Sequence, residues 1–229
     1  MTKLSVNINK IATIRNARGG NTPNVVEAAI HCQKFGADGI TIHPRTDERH
    51  ITKKDVYDIK PIINTEYNIE GYPSEDFIKM VLEIEPDQVT LVPDGPNVLT
   101  SCAGWDTIKF QNYLREVISI FKDKGIRTSI FTDPKIDMIE GAKNCGTDRI
   151  ELYTENYALG YNKNKEKATA PYIESAEEVT KLKALCLKCN DGTEAAFTKR
   201  IVDDNSLELV GSNEKYIAGL SLRKSFTLS

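Results

Sequence analysis

The chain has 229 residues, of which 40% are hydrophobic and 28% are charged, and its formal net charge is −3. This charge gives no electrostatic basis for binding nucleic acid or an anionic membrane. No apolar signal core follows the first residue, and no window approaches the roughly 18 apolar residues of a membrane span. Five scattered cysteines do not indicate a disulfide framework, so we expect a protein of the reducing cytoplasm.

Six short runs rich in β-branched residues predict strands that are buried on both faces, as in a parallel sheet. In chain order they are LSVNI (4–8), GITIH (39–43), YNIE (67–70), QVTLV (88–92), RTSIF (127–131) and RIELY (149–153).

Helical segments are predicted between these strands. Segment 22–37 places Thr22 as the N-cap and Pro23 in the first helical position, with Gly36 at the end. Segment 74–86 begins at Ser74 and stops at Pro86. Segments 105–125 and 135–146 continue the series.

Strands that alternate with helices predict βα units and a parallel sheet. The runs ALCLKC (184–189) and SLELVG (206–211) are candidates for strands seven and eight. We therefore predict an α/β fold, a (β/α)8 TIM barrel, as a single domain over residues 1–229. An open doubly wound sheet would favour G-x-G-x-x-G after the first strand, where this chain has NKIATIRNARGG. The eighth unit, at about 190–229, has weak helical periodicity.

Polar residues stand at the ends of the predicted strands, where barrel enzymes place their active sites. His43 and Glu70 end the second and third strands, and Glu151 lies in the sixth. Buried carboxylates are either paired with a cation or have a raised pKa suited to acid–base work, and the sequence leaves both alternatives open.

The loop HPRTDERH (43–50) adds Arg45, Arg49 and His50, which could bind a phosphate group. The alternative is a solvated loop in which the arginines pair with Asp47 and Glu48. RNARGG (15–20) is either a second phosphate clamp or the end of a helix. No spacing indicates a metal site, and the cysteines of CLKC (186–189) fit small apolar residues in or beside a strand.

Five blocks of the chain together resemble the pyridoxine 5′-phosphate synthase family. They are VNINKIATIRNARGG, FGADGITIHPRTDERHI, NIEGYP, VTLVPD and DRIELYTE, spread over about residues 1–180. The resemblance implies a (β/α)8 barrel with extra helices, which assembles as a homo-octamer and works without metal or organic cofactor. It also implies a transferase-type condensation, in vitamin B6 biosynthesis, of 1-deoxy-D-xylulose 5-phosphate with 3-amino-2-oxopropyl phosphate, which releases inorganic phosphate and water.

The same resemblance implies roles for individual residues. His43 and Glu70 match the acid–base residues of the family, and Glu151 matches a carboxylate that supports cationic intermediates. Many members have Asp-His where this chain has Asn9-Lys10. The residues that match substrate contacts are Asn7, Asn9, Lys10, Arg18, Arg45, His50 and Thr100.

The C-terminal part departs from the family pattern. Members end strand seven with Asn-Ala-Gly-His and strand eight with Ile-Gly-His, where this chain has LKCNDGTEAAF and LELVGSNEKY. No histidine follows His50. Two hypotheses therefore stand, an active synthase and a non-catalytic or impaired barrel that binds phosphorylated ligands. A barrel isomerase acting on one sugar phosphate is a third.

Overall fold

A computed structural model describes residues 3–95, 103–183, 197–200 and 216–219. The chain divides into two compact units, Thr2–Leu159 and Gly160–Ser229. The first unit contains a six-stranded sheet in which every neighbouring pair is parallel and the strands follow chain order. The strands are β1 Ser5–Asn7, β2 Gly39–Ile42, β3 Glu66–Gly71, β4 Gln88–Leu91, β5 Arg127–Thr132 and β6 Arg149–Leu152. All six strands predicted for this part of the chain are confirmed.

Helices connect and follow the strands, and three of those that lie wholly or mostly in the first unit were not among the predicted segments. The helices are α1 Asn9–Arg18, α2 Val25–Lys34, α3 Lys53–Ile59, α4 Glu75–Ile84, α5 Gln111–Lys122, α6 Ile136–Cys145, α7 Glu155–Tyr161 and α8 Lys165–Lys183. Helix α1 was missed because it has no apolar stripe: the residues that it buries are Ala12 and Arg15. Helix α3 has only seven residues, too few to establish a helical period.

The start of α2 corrects the prediction from sequence. Asn24 is the N-cap, and its side-chain oxygen accepts hydrogen bonds from the amides of Val26 at 2.9 Å and Glu27 at 3.1 Å. Thr22 and Pro23 therefore precede the helix, joined by a cis peptide bond. Asparagine caps a helix at least as well as threonine, so the sequence contains two possible caps two residues apart. The helix begins after Asn24 and not after the predicted Thr22.

Helix α4 has both of the ends that were predicted. The Ser74 hydroxyl accepts a hydrogen bond from the amide of Phe77 at 3.3 Å. Glu85 terminates the helix in the left-handed region, with φ of 48°, directly before Pro86. Helix α5 starts at Gln111, six residues later than predicted, because Trp105 lies buried in the core ahead of it.

The strands alternate between an apolar and a polar face. On the apolar face, strand side chains are fully buried and join one core with residues of the surrounding helices. This face carries Ile40, Ile42, Ile69, Val89, Leu91 and Ile130, and the helices contribute Ala29, Val56, Val81, Leu114 and Phe121. Burial of these apolar side chains is the main stabilising contribution to the unit.

On the polar face, side chains are hydrogen-bonded from strand to strand. Asn68 donates to the Thr41 hydroxyl at 3.3 Å and accepts from the Thr90 hydroxyl at 3.0 Å. Gln88 accepts from Arg127 at 2.9 Å and Arg149 at 3.1 Å, and both arginines form ion pairs with Glu66. Asn68, Thr41, Thr90 and Gln88 are therefore hydrogen-bonded across the sheet, as burial of polar groups favours.

In the second unit, α8 contains Pro171, whose carbonyl accepts a hydrogen bond from the Ser175 hydroxyl at 2.6 Å. Strands β7 Phe197–Arg200 and β8 Tyr216–Gly219 form an antiparallel pair. The strands predicted at 184–189 and 206–211, and the CLKC cysteines, lie outside the described residues. Within the described ranges, no helix combines the length and apolarity that a membrane span needs.

Candidate active site

The three predicted acid–base residues share the polar face of the sheet. Glu70 is in register with Thr90, which is in register with Ser129 and, through it, with Arg149. Glu151 lies two residues after Arg149 and therefore points to the same face as Glu70. His43 follows Thr41 by two residues at the end of β2, and Thr41 is also on this face. The three thus share one face at the carboxyl ends of β2, β3 and β6, and Glu151 is close enough for its charge to act on Glu70.

The backbone of His43 is held by a hydrogen bond, and its ring lies near Glu70. Its amide donates a hydrogen bond to the Asn9 side-chain oxygen at 2.8 Å, and its Nδ1 lies 4.0 Å from Oε2 of Glu70. Burial, together with the charges of His50 and Arg45, lowers the pKa of His43 to about 3. At neutral pH the imidazole is therefore uncharged and able to accept a proton only from a strong donor or a reacting group.

The two carboxyl groups both resist ionisation. Burial raises the pKa of Glu70 well above its ordinary value, and the charge of Glu151 raises it further. Burial also raises the pKa of Glu151. No lysine or arginine in the described ranges lies within ion-pair distance of either carboxyl. With His43 neutral, the 4.0 Å approach to Glu70 is not a charged pair. Of the two alternatives left by the sequence, the structure favours carboxyl groups with raised pKa values over carboxylates paired with a cation.

The loop after β2 combines a surface ion pair with a buried one. Arg49 pairs with Asp47 at the surface, as the solvated-loop alternative expected. Arg45 is different, because its guanidinium lies 3.7 Å from the Asp94 carboxylate and both side chains are at least nine-tenths buried. Asp94 follows the end of β4 in the VPD turn. Arg45 is thereby oriented by a residue from the end of β4, two strands away in the sheet.

His50 lies next to His43, with 5.8 Å between the ring centroids. Its Nδ1 accepts a hydrogen bond from the amide of Ile51 at 3.0 Å. Burial, and the positive charges of Arg45, Arg49 and Lys10, lower its pKa. A neutral ring that accepts at Nδ1 carries its proton on Nε2, so His50 presents a donor.

The remaining predicted contacts are distributed around this cluster. The Asn7 side-chain oxygen accepts from the amide of Asn9 at 3.0 Å, at the start of α1. Lys10 is exposed, and its charge acts on His50. Arg18 is exposed in the last turn of α1, and within the described part of the chain no hydrogen bond or ion pair joins it to the cluster. Thr100 lies outside the described residues.

Three residues of this region were not predicted as site residues. Asp94 orients Arg45, and Arg15 is buried against Asp55, with one of its nitrogens 2.8 Å from the carboxylate. Arg15 therefore serves this ion pair instead of the phosphate clamp considered from RNARGG. Asn16 donates to the backbone of the 45–50 loop. The one sequence signal for these partners was an acidic residue directly after a strand in VPD.

The low pKa of His43 predicts a loss of stability in acid. The unfolded chain binds a proton near pH 6.5, whereas folded His43 resists protonation down to about pH 3. Stability present above pH 6.5 should therefore fall as the pH drops toward 3, by at most about 1.4 kcal/mol per pH unit from this residue. Urea unfolding between pH 7 and 4 should give a shallower loss for His43→Asn than for the wild type. His31→Asn, which removes an exposed histidine, is the control; equal slopes for all three proteins would contradict the assignment.

A parallel α/β sheet that gathers buried titratable groups and a buried arginine at the carboxyl ends of its strands is the arrangement typical of enzymes that act on anionic small molecules. The family model described as pyridoxal phosphate biosynthesis protein PdxJ matches residues 4–200, past the limit of about 180 expected from the sequence. The chain belongs to this family.

Known relatives agree with this assignment. The chain is 59% identical over 182 residues to a protein of Bacteroides thetaiotaomicron named pyridoxine 5′-phosphate synthase, which covers 80% of this chain and 77% of the relative. It is 61% identical over 182 residues to the Flavobacterium johnsoniae protein of the same name, with the same coverage of both chains.

Solved structures support the fold alone. A mandelate oxidase variant with (S)-mandelic acid superposes with a TM-score of 0.52 at 10% identity, over 76% of this chain and 62% of that one. The chain thus spans less than two thirds of that structure's length.

Proposed function

We propose that this protein catalyses the formation of pyridoxine 5′-phosphate from 1-deoxy-D-xylulose 5-phosphate and 3-amino-2-oxopropyl phosphate. The observation that carries the proposal is the buried group of His43, Glu70 and Glu151, whose pKa values are all shifted, beside the Arg45 and His50 loop in a chain of this family. The relatives that bear the enzyme's name cover more than three quarters of this chain.

The chemistry of the condensation matches these three residues. Attack of an amine on a ketone, loss of water and enolisation each move a proton at one carbon framework. Glu70, whose pKa burial raises, supplies the acid, and neutral His43 takes up protons from the reacting carbon or nitrogen atoms. Once one carboxyl ionises, the other is harder to ionise, so the pair carries a single negative charge. That charge, assigned to Glu151, stabilises the cationic intermediates.

Substrate binding is assigned to Arg45 and His50, in the loop that follows β2. Arg45 and the Nε2–H of His50 would take a phosphate group, because a guanidinium and a neutral donor can bind its oxygens together. Holding each substrate by its phosphate supplies the proximity that a two-substrate reaction needs. Further contacts are proposed for Asn7, Asn9, Lys10, Arg18 and Thr100.

The wider architecture follows from the same proposal. We infer that the six βα units belong to a closed (β/α)8 barrel, a single domain over residues 1–229, and that the barrel assembles as a homo-octamer in the cytoplasm. The support is the six-stranded parallel sheet in chain order together with the family resemblance. Analytical ultracentrifugation of the full chain tests the assembly, and a monomeric species at micromolar concentration would contradict it.

A second candidate is a barrel that binds phosphorylated ligands but turns over slowly or not at all. The observation that favours it is the absence of histidine after His50. Steady-state assay with both substrates, following pyridoxine 5′-phosphate by chromatography and phosphate release in parallel, separates the two. Turnover of the sugar phosphate alone, without the amine, would instead support an isomerase.

Arg45→Ala is expected to raise KM for a phosphorylated substrate by the equivalent of about 2–3 kcal/mol, because it removes a charge-assisted contact. It should leave kcat within a few-fold, since Arg45 moves no proton. The substitution also leaves Asp94 buried without the guanidinium 3.7 Å away, so Arg45→Ala with Asp94→Asn is the matched variant. If KM for both substrates is unchanged in both variants, Arg45 does not contact a substrate and serves only its ion pair with Asp94.

A further inference from the structure

The loop that carries Arg45 and His50 is tied to helix α1 by side-chain contacts to its backbone. Asn16 donates from Nδ2 to the carbonyl of His50 at 2.8 Å and to the carbonyl of Glu48 at 3.2 Å. Arg15 adds a longer bond to the same His50 carbonyl at 3.4 Å. One side chain of α1 thus contacts two peptide groups at the turn of the loop.

The Asn16 amide is itself fixed in orientation. Its oxygen accepts from Nε of Arg15 at 3.0 Å and from a terminal nitrogen of Arg15 at 2.9 Å, which directs its NH2 group at the two carbonyls. Arg15 in turn is held by Asp55, whose carboxylate also accepts from the Thr52 amide at 2.7 Å at the start of α3. The buried ion pair therefore anchors the amide that holds the loop.

The loop needs such a holder because its backbone is unusual at this point. Glu48 has φ of 50°, in the left-handed region that non-glycine residues seldom occupy. Glu48 further accepts from the amide of Lys53 at 2.8 Å through its side chain, and Pro44 bridges to Ile51 across the base of the loop. With the carbonyl of His50 fixed by Asn16 and its ring by the amide of Ile51, the direction of its Nε2–H is set.

We propose that Asn16 is a positioning residue, which holds the 45–50 loop so that the Nε2–H of His50 and the guanidinium of Arg45 converge on one phosphate group of a substrate. Asn16 is exposed, so packing does not account for its contacts. It moves no proton and touches no reacting atom. The assignment rests on the proposed function for the identity of the phosphorylated substrate, and on geometry alone for the phosphate subsite.

Asn16→Asp is the sharpest test. Aspartate keeps the size of the side chain and the acceptor for Arg15, but replaces the donor with an oxygen that repels both carbonyls. Asn16→Ala removes the contact altogether. Thr13→Ala is the control on the same helix, since Thr13 is exposed and its hydroxyl bonds only to the carbonyl of Asn9 within α1 among the described residues.

The first measurement uses inorganic phosphate and requires no turnover. The chain has three histidines, so the ring protons of His50 can be assigned by NMR and followed during a phosphate titration. Both Asn16 variants should bind phosphate about tenfold more weakly, with a smaller His50 shift, because loss of two hydrogen bonds lets the loop move. Phosphate affinity within twofold of Thr13→Ala in the Asp variant would overturn the proposal, whatever the stability of the Ala variant.

The second measurement is steady-state kinetics. The Asn16 variants should raise KM for one of the two phosphorylated substrates about tenfold and leave kcat within twofold, whereas a merely structural role would lower the active fraction and kcat alone. A fall in kcat with unchanged KM would therefore also overturn the proposal. If the wild type gives no turnover, the proposed function fails while the phosphate titration still decides the role of Asn16.

Discussion

Glu70→Gln is expected to lower kcat by about 10²-fold or more while leaving inorganic phosphate binding within twofold of the wild type. Glutamine keeps the shape of the side chain but has no proton to exchange, and loss of a general acid–base group typically has an effect of this size. Glu70 lies on the polar face of β3, with Oε2 4.0 Å from His43. Steady-state kinetics with both substrates measures the loss, and an unchanged kcat would remove Glu70 from the mechanism.

The same substitution should change the dependence of stability on pH. Because the pKa of Glu70 is raised in the folded state, the folded protein holds a proton that the unfolded chain has lost by about pH 5. The stabilisation that this proton gives is fully present below the pKa of Glu70 in the unfolded chain. It decreases as the pH rises toward the higher pKa of Glu70 in the folded protein. Glu70→Gln removes this dependence on pH, so the Tm of the variant relative to that of the wild type should increase between pH 5 and 8.

Glu140→Gln is the control, because it neutralises an exposed carboxylate on α6. Thermal unfolding of the three proteins at pH 5, 6.5 and 8 gives the comparison. A Glu70→Gln curve that stays parallel to that of the wild type would show that Glu70 is ionised in the folded protein at all three values.

The strands were predictable because their signal is local. Each contains β-branched residues in a short run, and a strand buried on one face by helices and on the other by polar partners keeps that composition. Helix α1 was not predictable in the same way, since the residues that it buries are one alanine and one arginine. A helix is recognised in a sequence by its apolar stripe. Helix α1 contacts the rest of the unit partly through polar groups, the Arg15–Asp55 ion pair and the hydrogen bonds of Asn16.

The candidate site was also predictable only in part from the sequence. His43, Glu70 and Glu151 could be proposed from sequence because the carboxyl end of a parallel strand is identifiable from the strand itself. The contacts that orient the site join residues far apart in the chain. Asn16 and His50 are 34 positions apart, and Arg15 and Asp55 are 40 apart. No periodicity encodes such hydrogen bonds, and so the role of Arg15 was open between phosphate and a protein carboxylate until the fold brought Asp55 beside it.

The largest expected effect concerns the C-terminal part of the chain. The family resemblance implies a histidine that donates a proton at the end of strand seven, and this chain has no histidine after His50. With His43, Glu70 and Glu151 as its acid–base groups, we expect kcat about 10²–10⁴ below that of the Bacteroides thetaiotaomicron relative assayed in parallel. Binding of inorganic phosphate should remain comparable, because it depends on the Arg45 and His50 loop.

A gain of function tests the same idea. Asn190, Asp191, Gly192 and Thr193 share the asparagine and the glycine of the family block Asn-Ala-Gly-His at the same spacing, so we assign Thr193 to the position of the histidine. Thr193→His should raise kcat at least tenfold, since an imidazole titrates near neutral pH and can return the missing proton. Thr198→His, five residues further on, controls for a histidine added elsewhere. Wild-type turnover equal to that of the relative, together with its loss in Asp191→Asn, would contradict this account and assign the proton to Asp191.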